Sequence, residues 1–420
     1  MIAKVVRASY CVLLALLAGC SSLAPLLATP TPVPVSTATS TPQAIPTATA
    51  PVTDQSRLLR VWLPPRFDPN ADSPSAELLK RRLLDFESEY PGMRVEVRIK
   101  SETDILNALA VTNKAAPEAM PDLIALSHSD MQAAASAGFL HPLEGLTSIL
   151  QDPDWYAFAR ELGHLKNTAY GIPFASDVLL TVYRPAVFEE PPSSWDALFE
   201  SGNNMVFPVS DPKALFSLSL YLSEGGGLVD DQSTATLNEE LLIRLLSFHK
   251  EAIETGTVPL PIRDHQTDAQ SLQFYRDGRA DAAVIWASSD IQIQSGDYFP
   301  LFGLENTHYA VGDGWVWALA GSEVENQPLA VELASYLVES SFMAEWNLAA
   351  GYLPTRPQAL NMWEDESFRT SINEILQSAH PIPSEEVISI VGPLLQGALI
   401  RVFNGEQPEV VARSVIEELK

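Results

Sequence analysis

The chain has two cysteines in 420 residues, Cys11 and Cys20, so no disulfide framework can hold it and packing alone must do so. Basic residues are also scarce, 26 against 53 acidic ones, giving a formal charge of −27. That balance repels phosphate backbones and anionic membrane surfaces, which excludes a nucleic-acid footprint and leaves the charge as a source of solubility. There is no G-x-S-x-G turn, no H-E-x-x-H pair and no repeat at a short fixed period. The glycine run Gly225-Gly226-Gly227 lacks the Lys and Ser/Thr of a phosphate loop and follows an apolar helical stretch, which makes it a helix terminator. Asp68, Asn70 and Asp72 alternate like the start of a calcium loop, but the remaining ligands and the bidentate Glu are missing, so neither metal nor cofactor is expected.

The first residues read as an export signal. Lys4 and Arg7 precede the apolar run Cys11 to Leu17, which is shorter than the ~20 residues a membrane span requires. Leu17-Ala18-Gly19-Cys20 resembles the lipobox of bacterial lipoproteins, which implies cleavage after residue 19 and lipidation of the Cys20 thiol. Residues 20–56 are then a tether. From Ala28 to Thr53 the chain is almost wholly Pro, Thr, Ser, Ala and Val without a charge, too poor in large apolar groups to fold. At about 3.1 Å per residue in an extended state it reaches roughly 80 Å.

A folded region is expected from Arg57. Leu58 to Leu63 reads as a strand, Glu77 to Tyr90 as a helix with Ser73 or Ser75 at its start, Met93 to Ile99 as an alternating strand, and Asp122 to Leu126 as a buried one. This βαβαβ order predicts a parallel sheet whose ligands sit beyond the carboxyl ends of its strands, near Arg66 and near Ser129 and Asp130. Farther on, Asn238 to Thr255 is an amphipathic helix, Ser271 to Gly278 another, and Ala282 to Trp286 a buried strand of a second sheet. Trp315 to Leu319 is a further strand, and Leu394 to Phe403 and Glu409 to Leu419 are closing helices.

Between the two βα regions lies Tyr170 to Arg184, YGIPFASDVLLTVYR, apolar except for Ser176-Asp177 at its centre. It is read as two short strands joined by a bend, either a plain hairpin or the passage of the chain from one lobe to another across a cleft.

This stretch, with FESEYPGMRVEVRIK, MPDLIALSHSDMQAAASAGFLHPL, PPSSWDALF, FYRDGRADAAVIWASSDI and AVELASYLVESSFMAEWNLAAGYLPTRP, resembles in order and spacing the extracellular solute-binding proteins of ABC importers, specifically the family-1 group containing maltose-binding protein. The resemblance implies a two-lobed α/β periplasmic-binding-protein-like fold of class II, each lobe a sheet flanked by helices. It implies three crossings, near Phe174-Ala175, Phe299 to Leu304 and Val338 to Phe342. The N-terminal lobe would be 57–174 plus 305–338 and the C-terminal lobe 175–304 plus 339–420. It also implies a carbohydrate ligand in the interlobe cleft, ABC permease subunits as partners, a lipid anchor in the cell membrane with the folded part outside, and a monomer.

Matched phrase by phrase, the resemblance places Trp286 against a sugar ring, whose apolar C–H face packs flat on an indole. It sets Asp177, with Ser176 beside it, at the edge of that ring as acceptor and donor, and Ser129 and Asp130 on the opposite wall. Trp315, Tyr352 and Arg66 are further ligand candidates. Two positions depart from the family pattern. Arg184 stands where relatives commonly carry Asn, and Leu126 stands where maltose binders carry an aromatic, which removes one stacking surface. The competing readings are a bilobed sensor or adhesin, a binder of a peptide or polyamine, and an enzyme built around Ser127-His128-Ser129-Asp130; the missing catalytic signatures argue against the last.

Overall fold

The computed structural model describes residues 57–188, 190–230, 232, 234–321 and 323–419. The export signal, Cys20 and the tether lie outside them.

The first half follows the expected alternation. Strand β1 (Arg57–Leu63) leads through a 3-10 turn at Pro65–Phe67 to helix α1 (Pro74–Glu89), then β2 (Met93–Ile99), α2 (Ile105–Ala115), β3 (Leu123–Ser127) and α3 (His128–Ser136). β1 lies between β2 and β3 and is parallel to both. Ser73 starts α1 by accepting from the Ala76 amide, and Leu79, Leu83 and Phe86 form its buried face. A short helix α4 (Ala157–Glu161) and a two-residue-strand hairpin, β4 (His164–Leu165) with β5 (Thr168–Ala169), precede β6 (Gly171–Tyr183).

β6 corrects the expected bend: it is one continuous strand of 13 residues, and Ser176-Asp177 lies within it. The plain hairpin is thereby excluded. Its first part, through Val178, pairs with the later strand β10, and from Leu179 onward it pairs with two strands of a second sheet. The change of partners thus falls at Val178-Leu179, beyond Phe174-Ala175.

The second sheet is built from α5 (Trp195–Ser201), β7 (Met205–Val206), α6 (Leu215–Ser223), α7 (Glu239–Glu254), α8 (Asp268–Arg276), β8 (Ala282–Trp286) and β9 (Asp297–Pro300). α8 begins three residues before the expected Ser271, because Thr267 and Gln270 form a reciprocal capping box. The chain returns through β10 (Ala310–Leu319), which inserts antiparallel between β3 and β6. β10 starts five residues before Trp315, since Gly312 and Gly314 hide its period-two pattern. Both glycines are required here: a Cβ at Gly314 would stand 2.5 Å from the Ala175 carbonyl oxygen, and one at Gly312 would stand 2.8 Å from the Phe158 ring.

The remainder is helical: α9 (Gln327–Leu337), α10 (Ser340–Ala350), α11 (Pro357–Leu360) and α12 (Glu366–Gln377), the edge strand β11 (Ala379–Pro381) on β10, then α13 (Glu385–Phe403) and α14 (Pro408–Glu418). α13 continues through Pro393 instead of starting at Leu394. Its buried face, Ile388, Val391, Leu395 and Leu399, lies in the core against α7, and that packing outweighs one missing backbone hydrogen bond. The strand order β2-β1-β3-β10-β6-β8-β7 therefore runs through two sheets joined by β6, giving a two-lobed mixed α/β fold.

Candidate functional site

The carboxyl ends of the three parallel strands deliver one group of side chains. Arg66 follows β1, Glu102 follows β2, and Ser129 and Asp130 follow β3. Arg66 is clamped by Glu102 in a two-pronged ion pair with both contacts at 2.7 Å, donates to the Tyr352 hydroxyl at 2.6 Å, and lies over the Trp315 ring at 5.1 Å. The pair with Glu102 and the Tyr352 contact hold the guanidinium strongly in its charged form. Beneath it, Phe67 touches four aromatic rings, Phe174, Trp315, Trp346 and Tyr352, with centroids 5.0 to 5.9 Å away. Trp315, Tyr352 and Arg66 are therefore brought together as one cluster.

Asp130 is tied to the start of α3: Ser127 donates to its carboxylate at 2.8 Å and accepts from its amide at 3.1 Å. Ser129 shares this turn through a 3.2 Å hydroxyl contact with Ser127. Burial raises the Asp130 carboxyl above its ordinary range, partly offset by Ser127, and the charge of Asp313 adds to the rise.

Trp286 lies elsewhere, at the end of β8, half-buried on the wall of a cavity of about 360 Å³. The polar wall of that cavity is Asp211, Lys213, Gln266, Thr267, Asp268 and Asp313, and Leu215, Phe216 and Val284 supply apolar surface. Asp211 and Asp268 already serve the scaffold. Asp211 accepts from the amides of Lys213 and Leu215, each at 3.0 Å, while Asp268 accepts from the Ser289 hydroxyl at 2.5 Å. Among the described residues Asp313 accepts from the adjacent Gly314 amide, at 2.8 Å, and it lines the cavity.

Asp177 stands behind this wall instead of on it. One oxygen accepts from the Val178 and Ser288 amides at 3.0 Å, and the other accepts from the Ser288 hydroxyl. It fastens the loop that follows Trp286 to β6, so its present role is to position that loop. Ser176 differs more from its expected place. It is fully buried, its hydroxyl donates to the Leu353 carbonyl at 3.0 Å, and its backbone bridges Leu353, so it is part of the packed interior and offers no face to a ligand.

A sequence profile of the bacterial extracellular solute-binding protein family matches residues 83–370. The chain belongs to that family. Among curated relatives, the maltotriose-binding protein of Pyrococcus abyssi (strain GE5 / Orsay) is 24% identical over 340 residues, covering 75% of this chain and 73% of the relative. Among solved structures, the sugar-binding protein MalE of Xanthomonas citri superposes with a TM-score of 0.71 at 16% identity, over 86% of this chain and 96% of that one. The maltose-binding periplasmic protein MalE of Listeria monocytogenes, solved with maltose, has a TM-score of 0.71 at 15% identity, over 87% and 97% of the two chains. These likenesses show the fold. The family is one of solute-binding proteins and not of enzymes.

Within this solute-binding fold, the two departures noted in the sequence find physical explanations. Arg184 is structural: its guanidinium packs over the Tyr275 ring at 4.4 Å and donates to the backbone carbonyls of Tyr275 and Ala280. Leu126 is fully buried in the core and offers no face to a ligand. Asp211, Lys213, Gln266, Asp268 and Asp313 were missed by the sequence reading. They sit in loops, at a helix start and in a glycine-flanked stretch, none of which carries a periodic signal. Among the described residues no three His, Cys, Asp or Glu are placed to hold a metal ion, and Asp68 accepts from the Asn70 amide as an ordinary polar loop.

Asp177 and Asp313 face each other across β6 and β10. Burial drives the Asp177 carboxyl up to about 7, opposed by the two Ser288 bonds and reinforced by the charges of Asp313 and Asp268. Asp313 is likewise raised, by burial first. With its folded value above the unfolded one, the folded protein keeps a proton that the unfolded chain releases near pH 4, so stability falls as pH rises toward 7. Each pH unit of displacement corresponds to about 1.4 kcal/mol. Urea midpoints are therefore expected to be higher at pH 5 than at pH 8, with a shallower dependence in Asp177→Asn. An identical pH profile in that variant would contradict the assignment.

Proposed function

We propose that the protein captures a carbohydrate, a mono- or oligosaccharide, between its lobes and delivers it to the transmembrane subunits of an ABC importer. The observation that carries this reading is the Trp286 cavity: one half-buried indole face beside apolar side chains, edged by carboxylates, a lysine and an amide. A sugar ring has the same division, an apolar C–H face and a rim of hydroxyls that donate and accept. The maltotriose-binding relative supports the same ligand class.

Residues 57–174 plus 305–338 form the N-terminal lobe in this proposal, and 175–304 plus 339–420 the C-terminal one. Arg66, Ser129, Asp130 and Trp315 meet the ligand from the first, and Tyr352 and Trp286 from the second, with Asp177 positioning the loop after Trp286. Ligand binding closes the lobes only through contacts made better in the closed form. The protein acts as a monomer and releases its ligand unchanged. Cleavage before Cys20 and acylation of that thiol hold it to the outer face of the cell membrane, and residues 20–56 space the folded part from the lipid.

Calorimetry against a panel of maltose, maltotriose and other sugars, with amino acids and polyamines as controls, tests the ligand class. Saturable binding of at least one sugar is expected. Binding only to an amino acid or polyamine would keep the family and overturn the carbohydrate, and consumption of any ligand would overturn the non-catalytic reading.

A further inference from the structure

The cavity beside Trp286 is lined by three carboxylates, Asp211, Asp268 and Asp313, and by one cation, Lys213. That cation is already engaged, with its Nζ 2.8 Å from Glu385, which is not on the cavity wall. Among the described residues none of the three carboxylates, nor Asp177 behind them, is in an ion pair. Buried carboxylates elsewhere in the fold do take a cation: Asp290 pairs with Arg276, Asp154 with Arg356 and Glu224 with Arg244. Asp122, the exception, is bonded by the Arg60 amide and the Asn326 side chain.

Three of the four acids at the cavity have a scaffold partner that accounts for their charge. Asp211 accepts from the first amide of α6, and Asp268 is the first residue of α8, so each faces the positive end of a helix. Asp177 is held by Ser288. Asp313 has no support of this kind. Among the described residues it accepts only from the amide next to it in sequence, and it stands opposite Asp177 across β6 and β10. The strain of this arrangement is visible in the titrations. Among the described residues five carboxyls are held above their ordinary range, and four of them are Asp130, Asp177, Asp211 and Asp313. Burial is the first cause in each, and the charge of Asp313 adds to the rise of Asp130 and Asp177.

A sugar hydroxyl can bond a carboxylate, but it relieves none of this mutual repulsion. An ammonium group donates the same bonds and cancels charge as well. The indole of Trp286 suits such a ligand doubly, since its face accepts both an apolar C–H surface and a nearby cation. We propose that the ligand of this cavity is an amino sugar, a pyranose that packs on Trp286 and sets a free ammonium group against Asp313. This inference rests on the carbohydrate reading of the same cavity and adds the charge of the ligand to it.

The test is calorimetry at about pH 6.5, below the ~7.7–8.0 of an α-amino group, so that the amine carries its charge. Glucosamine is compared with glucose and N-acetylglucosamine, and the β-1,4 disaccharide of glucosamine with cellobiose. At least one ammonium sugar is expected to bind about tenfold or more tighter than its neutral counterparts. Asp313→Asn should reduce that preference to about threefold or less, whereas Lys213→Gln, which removes a competing positive charge, should enlarge it severalfold. Equal affinity for charged and neutral sugars, or a preference that survives Asp313→Asn, overturns the proposal and leaves the carbohydrate reading standing. Binding of spermidine alone, or of none of these compounds, overturns both. Circular dichroism checks the variants; should Asp313→Asn misfold, the half-exposed Lys213→Gln decides, and a preference no larger than the parent's overturns the proposal.

Discussion

Trp286→Ala is expected to weaken binding of the proposed sugar by roughly 30-fold, about 2 kcal/mol, while leaving the fold intact. A half-buried indole on a cavity wall loses both its buried area and the extra stacking term of about 0.5–1.5 kcal/mol, a combination typical of aromatic hot spots. The fold should tolerate the change, because β8 is held by its backbone pairing with β6 and β7 and by the burial of Ala282 to Ile285. Trp286→Phe should recover part of the affinity, since a smaller ring keeps one apolar face. Calorimetry with the best sugar of the panel decides it. An affinity equal to the parent's in Trp286→Ala would remove the indole from the site and, with it, the main support for the carbohydrate.

The largest expected effect on stability is at Phe67. Its ring is 4% exposed and touches four other aromatic rings that come from β6, β10, α10 and the turn after α10, so it joins segments far apart in sequence. Phe67→Ala is expected to cost about 3–5 kcal/mol, the range for a large ring removed from a packed core. Urea unfolding followed by tryptophan fluorescence measures this directly, because Trp315 and Trp346 border the cavity that would be left. Phe67→Leu keeps most of the volume and should cost less than half as much. A loss under 1 kcal/mol in Phe67→Ala would mean that the cluster collapses around the gap and does not join these segments rigidly. The same truncation should loosen Arg66, whose contacts with Trp315 and Tyr352 rest on that cluster.

Much of the fold was legible because it is written locally. The βαβαβ half follows from strands of period two, a Ser cap and an apolar helical stripe, each decided within about fifteen residues. α7 could be read between its Asn238 cap and Gly256, which adopts a φ of +82°. Where the reading erred, a distant partner decided the outcome. α13 runs through Pro393 because its face is buried against other helices, and β10 extends back through two glycines because the Phe158 ring crowds Gly312 and β6 crowds Gly314. The bend expected at Ser176-Asp177 came from treating two polar residues as a break. In the fold, one is satisfied by Leu353 and the other by Ser288, so the strand continues without loss.

The site divides in the same way. The family resemblance marked Trp286, and the strand pattern marked Arg66 and Asp130, since a residue just past a buried strand is placed by the strand. Sequence alone determined as well the two-lobed α/β class, the family and the positions where that family's pattern is broken. Only the tertiary structure decided that Asp177 fastens a loop, that Ser176 is buried against Leu353, and that Asp313 faces Asp177 across a strand pair. The physical reason is that a polar side chain takes its role from the partner that satisfies it. For Asp177 and Ser176 that partner lies 111 and 177 residues away along the chain, beyond the reach of any local pattern.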